Sequence, residues 1–440
     1  MRLIIILLLS FGALLPHDEA FAVSPGYVIL TTTGIVAQST ELTNFMAAKV
    51  ARGFTVQVIQ NNSEGQGGWC GNTNGATGDT AANLLRNWLV THYTNSSGVQ
   101  LIDYALLIGN PDPTTGDVPM KLCYPRNTSE SSPTDYYYAD LTGDWDINTN
   151  GYYGEWADFN TNGGPDLTSE VIVGRIPYYG SITDLDAILR HTIQYEDNVA
   201  SQSSWRRKAL LSASPVSADL SGNHNGSLFA EHIKTEKLLP KGWNYHRVYD
   251  QEYGLNPVPE TVPCTPSNVV AAWNSAKPGA VFWFQHGSPT AVTDIMDVDN
   301  TTNLNTNNQA FVFQGSCWNA QPEATNNLAY TLLLRGSIST TAATRPSWWI
   351  YTVQYIWGWP ILVEDPPPWS YSGSVPYMID GYAQRFVNNG LAVGDTVAQY
   401  REDVVPTADI FWENHCIFNI YGCPAVGIRS VKFSGPLWSF

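Results

Sequence analysis

Two neighbouring apolar runs constrain the fold of this chain more than any other feature of its sequence. The run at residues 281–284 is followed closely by His286 and Gly287, and the run at residues 311–313 is followed by Cys317. Short runs of aromatic and β-branched residues bounded by glycine are typical of buried strands. Because ligands bind at the carboxyl ends of parallel strands in an open α/β sheet, two adjacent strands would present His286 and Cys317 side by side. The segment between the runs is rich in Asn, Thr and Asp, and we predict a loop there.

Strand and helix patterns alternate along the rest of the chain, which predicts an α/β fold. The polar stretch at residues 201–204 follows a predicted helix and is the best candidate for a boundary. We therefore expect two adjacent α/β subdomains, at residues 23–200 and 201–435, each with a mainly parallel sheet flanked by helices. Residues 346–376 are rich in Trp and Pro and are predicted to form a covering loop. A strand near residues 417–428 is predicted to follow.

The first 22 residues have the features of a secretory signal peptide. Arg2 supplies the positive start, residues 3–9 the apolar core, and Ala20 and Ala22 the small-residue cleavage site. The apolar run is too short to cross a membrane, and no later stretch is long enough, so we expect an exported protein with no integral membrane segment. The net charge of −17 repels nucleic acid and is compatible with the binding of cations.

An acidic segment near the middle of the first half carries oxygen ligands at alternate positions. They are Asp144, Asp146, Asn148 and Asn150, and Glu155 closes the series. Alternating oxygen ligands closed by a carboxylate are what a calcium loop requires, although no glycine stands where an EF-hand has one in this register. We predict a structural calcium site here and no organic cofactor. A solvated cluster of Asn and Asp turns is the alternative, and Asp158 is among the residues that could extend the site.

The six cysteines do not define a framework of disulfides. A protein of this length does not need disulfides for stability, and no Cys or His spacing indicates zinc. Cys416 and Cys423 are close enough in sequence to pair, but the sequence leaves their pairing open. The cysteines are Cys70, Cys123, Cys264, Cys317, Cys416 and Cys423.

The order of these motifs resembles the gingipain family, within the caspase-like clan of cysteine peptidases. A strand ending in His-Gly, followed by one ending in a small residue and Cys, is the central similarity. Segments similar to the family's other strands follow in the family's order at residues 27–58, 105–109, 170–175 and 419–424. The resemblance covers most of the mature chain. It implies a caspase-like fold and a cysteine endopeptidase that acts on proteins or peptides.

The resemblance also implies roles for individual residues. Cys317 would be the nucleophile that forms an acyl-enzyme, and His286 the general acid and base. The two side chains would flank the scissile bond, and the backbone N–H groups of Gly287 and Cys317 would form the oxyanion hole. Pro215 and Val216 stand where the family has a helper acid, so that acid is not matched in this chain.

The residues that select the substrate side chain before the scissile bond, called P1, remain open between two interpretations. By resemblance, Trp348, or alternatively Trp349, lines the P1 pocket. Asp219 would favour a basic P1 residue, whereas Arg345 would favour an acidic one through bidentate pairing. The resemblance to gingipains favours the basic residue.

Two other classes of function compete with the peptidase. The unmatched helper acid would suit an inactive relative that acts as a binding module. The aromatic content of 12% would suit a calcium-dependent adhesion or carbohydrate-binding protein that stacks sugars on its rings. Fast alkylation of Cys317 would favour the peptidase, and glycan binding that survives Cys317→Ala would favour adhesion.

Overall fold

The computed structural model describes residues 24–61, 68–70, 75–198, 204–215, 225–250, 258–349, 352–356, 359–363 and 370–428. Its strands are β1 (Gly26–Thr31), β2 (Thr55–Gln60), β3 (Tyr104–Gly109), β4 (Lys121–Cys123), β5 (Ser132–Thr134), β6 (Ile172–Pro177), β7 (Lys208–Ala213), β8 (Asn244–Tyr249), β9 (Ala280–Phe284), β10 (Gly287–Ser288), β11 (Ala291–Val292), β12 (Met296–Asp297), β13 (Ala310–Gly315), β14 (Ser337–Ala343), β15 (Thr352–Ile356), β16 (Trp359–Val363) and β17 (Phe418–Gly422).

The α-helices lie between the strands. They are α1 (Thr33–Gln38), α2 (Glu41–Ala51), α3 (Gly78–His92), α4 (Trp156–Phe159), α5 (Ile182–Asp197), α6 (Asn225–His232), α7 (Pro266–Ala276), α8 (Val298–Thr301), α9 (Leu328–Leu334), α10 (Val375–Ala383), α11 (Val393–Asp403) and α12 (Asp409–Ile417). Single π-helical segments, Ile233–Leu238 and Gln384–Asn389, continue α6 and α10.

Ten of the strands form one sheet in the order β2-β1-β3-β6-β17-β14-β13-β9-β7-β8. Neighbouring strands are parallel throughout this sheet except for β14 and β17, which are antiparallel. The prediction of an α/β fold with mainly parallel pairing is confirmed. The strands of the two predicted subdomains share this one sheet, because β17 joins the strands of the first half to those of the second. Residues 201–203 lie outside the described residues.

Alternate residues of each strand pack on opposite faces of the sheet, as the period of two requires. In β1, Tyr27 and Ile29 join a hydrophobic cluster that includes residues of both halves, whereas Val28 and Leu30 join a second cluster beneath the first half. In β9, Val281 belongs to a third cluster beneath the second half. Both faces of the sheet are therefore covered, which is the usual condition of a mainly parallel sheet.

The last part of the described chain differs from the prediction. The strand expected near residues 417–428 is β17, and it is preceded by a helix, α12, that the sequence analysis missed. Residues 411–417 of this helix are all buried, including polar residues such as Glu413 and Asn414. Its polar residues therefore do not mark a solvent-exposed face, and α12 lacks the amphipathic period that identifies a surface helix. Part of the expected covering loop at residues 346–376 is instead the antiparallel pair β15 and β16.

The cysteines are all free thiols in the structure. Cys416 packs in the cluster beneath the first half, where burial and the neighbouring Cys123 thiol raise its pKa. Cys423 lies in the cluster on the other face, 3.2 Å from the Tyr27 hydroxyl. Cys416 and Cys423, which are close in sequence, thus pack in different clusters.

Candidate active site

The strands that precede His286 and Cys317 are adjacent and parallel, as predicted. Phe284 of β9 is paired with Gly315 of β13, and the backbone N–H of Gln285 donates to Gly315 O at 3.0 Å. His286 and Cys317 each follow two residues after this last pair. The register therefore places both at the same edge of the sheet.

The end of β7 supports the backbone of His286 through Gln285, a buried residue that the sequence analysis did not single out. The side-chain amide of Gln285 donates to Ser214 O at 3.0 Å and to Pro215 O at 2.9 Å. Its carbonyl oxygen accepts the backbone N–H of His286 at 2.8 Å. Gln285 thus connects the His286 backbone to Pro215, which occupies the region where the family's helper acid is not matched. Val216 lies outside the described residues.

The chain turns sharply after Cys317, because Trp318 adopts a left-handed backbone conformation with φ of 66°. A bulky residue in this region is strained by about 1–3 kcal/mol and persists only when neighbouring groups hold it. Arg345 provides that support: its carbonyl accepts the Trp318 N–H at 3.2 Å, and its guanidinium lies 5.2 Å from the Trp318 ring centre.

A buried asparagine connects this turn to the segment that follows His286. The side-chain amide of Asn319 donates to Ser288 O at 2.6 Å and to Ala291 O at 3.2 Å, and its oxygen accepts the Ser316 hydroxyl. Ser288 and Ala291 pair in the β10–β11 hairpin directly after His286. The two strand ends are therefore held together by side-chain bonds as well as by the sheet.

The Cys317 thiol is the partly exposed one among the six cysteines, and the other five are buried. Its sulfur accepts the backbone N–H of Ser347 at 3.3 Å. The Ser347 hydroxyl lies 3.6 Å and the Ser347 carbonyl 3.8 Å from the same sulfur. The nucleophile candidate is thus surrounded on one side by the polar groups of a single residue.

Trp348 follows Ser347 and is held by α12. Its backbone N–H donates to Asn414 Oδ1 at 2.9 Å, and its indole N–H donates to Glu413 Oε2 at 2.5 Å. The guanidinium of Arg126 lies 4.2 Å from the centre of its ring. Burial raises the pKa of Glu413, although hydrogen bonds from Ser132 and Trp348 favour its ionised form. The alternative residue, Trp349, packs edge-on against Phe284 in the core.

Of the two charged residues proposed for the P1 pocket, the structure describes Arg345 but not Asp219. Arg345 lies at this edge, but its guanidinium pairs with both oxygens of Glu323, at 3.1 and 2.5 Å, and donates to Ser131 O at 2.9 Å. Asp219 lies outside the described residues. The structure therefore brings His286, Gly287, Cys317, Trp348 and Arg345 to one edge.

Gly287 has no room for a side chain. A Cβ atom at this position would lie 2.6 Å from Cys317 O, 2.9 Å from Ser316 Cβ and 3.2 Å from Asn319 Nδ2. We expect Gly287→Ala to lower kcat/KM by about 100- to 1000-fold, because the backbone must shift and its N–H group would leave the proposed oxyanion hole. Steady-state kinetics on a peptide substrate measure this. Ser288→Ala is the matched control, since the Ser288 side chain is exposed, and full activity of Gly287→Ala would contradict the assignment.

In the acidic loop predicted to bind calcium, several polar side chains form hydrogen bonds with other residues of the same loop. The side-chain amides of Asn148 and Asn150 donate to Glu155 Oε2 at 3.0 and 2.7 Å. Asp146 accepts backbone N–H groups of Asn150 and Gly151, and Asn148 accepts that of Asn150 as in an Asx turn. Among the described residues, no three carboxylate, thiol or imidazole groups are arranged to hold a metal ion.

Asp158, just beyond this loop, has an unusual environment. It is fully buried, and its Oδ1 atom has no hydrogen-bond partner. Burial, and to a smaller extent the nearby carboxylates of Glu155, Asp146 and Asp144, raise its pKa to about 6. A buried carboxylate oxygen without a partner, in a segment with other acidic groups nearby, is the kind of donor that a calcium ion satisfies.

The fold and the paired strand ends define a caspase-like α/β peptidase. Comparison with known families agrees, since the sequence profile of peptidase family C25 matches residues 22–426. The chain belongs to peptidase family C25, the gingipain family, and is a cysteine endopeptidase that acts on protein substrates. No curated protein sequence matches the chain significantly.

Solved structures agree on the fold. The Arg-specific cysteine proteinase gingipain R (RgpB) has a TM-score of 0.64 and 19% identity, over 92% of this chain and 79% of that one. A complex of the pro- and mature domains of RgpB from Porphyromonas gingivalis gives 0.61 and 17%, over 94% and 81%. A structure described only as a protease gives 0.60 and 14%, over 93% and 80%. At identities this low, the structural similarity supports the fold alone. The roles of individual residues therefore have to be argued from the geometry of this chain.

No helix in the described ranges combines the length and the apolar character needed to cross a bilayer.

Proposed function

We propose that this protein is a secreted cysteine endopeptidase in which Cys317 and His286 form a catalytic dyad. The observation that supports this best is the register of β9 and β13, which ends at Phe284 and Gly315 immediately before the two side chains. The exposure of the Cys317 thiol, when the other five thiols are buried, is independent support. A nucleophile must be reachable by substrate, whereas buried cysteines are usually inert.

The proposed reaction follows from the groups at this edge. The Cys317 thiolate attacks the scissile carbonyl, and the oxyanion that forms accepts hydrogen bonds from the backbone N–H groups of Gly287 and Cys317. His286 gives a proton to the leaving amine, which departs with the C-terminal part of the substrate. His286 then removes a proton from water, which hydrolyses the thioester, releases the Cys317 thiolate and leaves His286 protonated for the next cycle.

The P1 pocket is proposed to lie beside Trp348, which follows Ser347 in the chain and whose ring is held by Glu413 and Arg126. A basic P1 residue is favoured over an acidic one for two reasons. The charge of Arg345 is already paired with Glu323, so binding an acidic substrate side chain would require that pair to open. One structural relative is described as Arg-specific. Asp219 would supply the countercharge for a basic residue.

A mixed peptide library tests both the activity and the specificity. The mature protein is incubated with the library, calcium and a reductant, and cuts are mapped by mass spectrometry beside Cys317→Ala. Cuts that vanish in the variant, with Lys or Arg before each cut, are expected. Cuts after Asp or Glu would favour Arg345 as the selecting residue. No cuts by the wild-type protein would favour the inactive binding module, and glycan binding without cleavage the adhesion protein.

Export is proposed from residues 1–22, which lie outside the described residues. Their positive start, short apolar core and small-residue cleavage site support removal after Ala22. Expression of the full chain with its own leader in a secreting host, followed by N-terminal sequencing of protein from the medium, tests this. A protein retained in the cytoplasm with Met1 intact would refute it.

Calcium is proposed as a structural ion of the acidic loop. Asp158 and Glu155 would hold it together with Asp144 and Asp146, and the amide oxygens of Asn148 and Asn150 complete an all-oxygen donor set. The ion would keep the loop ordered. The loop contacts α12 directly, because the Trp412 indole donates to Gly154 O at 2.8 Å and Phe159 stacks on the Trp412 ring at 4.4 Å.

We expect removal of calcium by a chelator to lower the melting temperature by several degrees at pH 7.5, and by less below pH 6. The Asp158 pKa of about 6 lies above the usual value of 3.8, so the metal-free protein loses stability as pH rises from about 4 to about 6. Calcium binds the ionised carboxylate and should offset that loss. Melting curves of wild type, Asp158→Asn and the exposed control Asp299→Asn, each with and without calcium, measure the effect. A calcium response of equal size in Asp158→Asn would contradict the proposed site.

A further inference from the structure

We propose that Ser347 stabilises the thiolate form of Cys317 and thereby raises the fraction of the protein whose nucleophile is ionised near neutral pH. This inference rests on the proposed role of Cys317 as the nucleophile. It identifies a positioning residue that the motifs around His286 and Cys317 do not contain. A free thiol is mostly protonated near neutral pH, so an enzyme of this kind needs groups that favour the thiolate.

The contacts of the sulfur distinguish its two protonation states. The Ser347 backbone N–H, at 3.3 Å, can only donate, and it therefore favours a negatively charged sulfur. The Ser347 hydroxyl, at 3.6 Å, can rotate to donate as well. The Ser347 carbonyl, at 3.8 Å, would accept the proton of a neutral thiol but lies farther away. One fixed donor and one hydroxyl that can donate, both nearer than the carbonyl acceptor, favour the thiolate.

The chain holds Ser347 at this distance from both sides. Before it, Pro346 fixes its own φ, and the Arg345 carbonyl accepts the N–H of Trp318, which follows the nucleophile. After it, Trp348 is bonded in both directions to Asn414, at 2.9 and 2.8 Å. The donors are thus pre-placed, and little reorganisation is needed when the sulfur becomes charged.

Few charged groups surround the site in the part of the chain that the structure describes. His286 is the titratable neighbour at the end of β9. Arg345 is paired with Glu323 beside the Trp318 turn, and Arg126 with Glu413 behind Trp348. The buried thiols do not interfere with a measurement on Cys317, since burial raises the pKa of Cys264 to about 12 and of Cys70 to about 11.

The test is the rate at which iodoacetamide alkylates Cys317 between pH 5 and pH 9, followed by mass spectrometry in the folded protein. For Ser347→Ala, which removes the hydroxyl and keeps the N–H, we expect the midpoint of the rate profile to rise by about half a pH unit to one unit. The rate at pH 6.5 should fall about 3- to 10-fold, because each pH unit is a factor of ten in thiolate fraction. Ser347→Thr, which keeps a hydroxyl, should retain the wild-type midpoint, and Ser288→Ala, which changes an exposed side chain, is the control.

Peptidase kinetics provide a second readout. The loss of kcat/KM in Ser347→Ala should be largest at low pH and recover near pH 9, whereas a misfolded site would lose activity at every pH. Ser347→Gly also lacks the hydroxyl but has a backbone that is less restricted than that of alanine. It should behave like Ser347→Ala. An unchanged alkylation profile in both variants would overturn the proposal. The alkylation profile can be read even if the wild-type protein cuts no peptide, so failure of the proposed function is distinguishable from failure of this inference.

Discussion

Cys317→Ala is expected to lower kcat/KM by at least about 10⁴-fold, with little change in stability. Loss of a covalent nucleophile removes the acyl-enzyme route entirely, and only residual binding and oxyanion stabilisation remain. The side chain is partly exposed, and within the described ranges its sulfur makes weak polar contacts with Ser347 alone. The melting temperature should therefore stay within about 2 °C of wild type, because surface substitutions usually change stability little.

The measurement is steady-state hydrolysis of the best peptide from the library, with thermal melting beside it. Cys70→Ala is the matched control, since it removes a buried thiol that has no place in the mechanism. That variant should lose stability and keep its turnover per folded molecule. Hydrolysis by Cys317→Ala at a rate within tenfold of wild type would exclude Cys317 as the nucleophile.

His286→Ala should lower kcat/KM by about 10²- to 10⁴-fold, the usual range for loss of a general acid and base. The Cys317 sulfur keeps its Ser347 donors in this variant, so its alkylation should persist while hydrolysis fails. That separation distinguishes a lost proton carrier from a collapsed site. Both rates are to be measured on the same preparation, with the exposed His92→Ala as control. Equal loss of alkylation and hydrolysis, together with a lowered melting temperature, would instead indicate a structural role for His286.

The sequence predicted the central sheet well because its signals are local. Several strands are short apolar runs ended by glycine or followed by a polar residue, and β9 and β13 follow this pattern at Phe284 and Gly315. The adjacency of His286 and Cys317 then follows from the geometry of parallel strands, without knowledge of any distant contact.

The walls of the site could not be predicted in this way, because they depend on contacts between residues far apart in the chain. Glu413 and Asn414 hold Trp348 from more than sixty residues away. They lie on a helix whose buried polar residues give no amphipathic signal. Gln285 and Asn319 were easier to find from the sequence than Glu413 and Asn414, because they lie within two residues of His286 and Cys317. A polar residue next to a strand end is common, however, and only the structure shows that both are buried and bonded across the site.

Arg345 illustrates how a charge can suggest an incomplete role. It was one of two alternatives for the residue that selects P1, and it would have favoured an acidic substrate group through bidentate pairing. In the structure its carbonyl and its guanidinium both support the strained turn at Trp318, and its charge is paired with Glu323. Isolated charges in a sequence cannot reveal such intramolecular pairing, because the partner is fixed only by the fold.

The position of β17 in the middle of the sheet has a consequence for how the enzyme matures during synthesis. Strands β1, β2, β3 and β6 emerge from the ribosome first, yet within the sheet they join the strands of His286 and Cys317 only through residues 418–422. The helix that holds Trp348 is translated just before that strand. A nascent chain that lacks residues 409–422 therefore carries both reactive side chains but lacks α12, which holds Trp348, and β17, which joins the two halves of the sheet. The order of the chain itself delays assembly of the complete site until these late residues have been made.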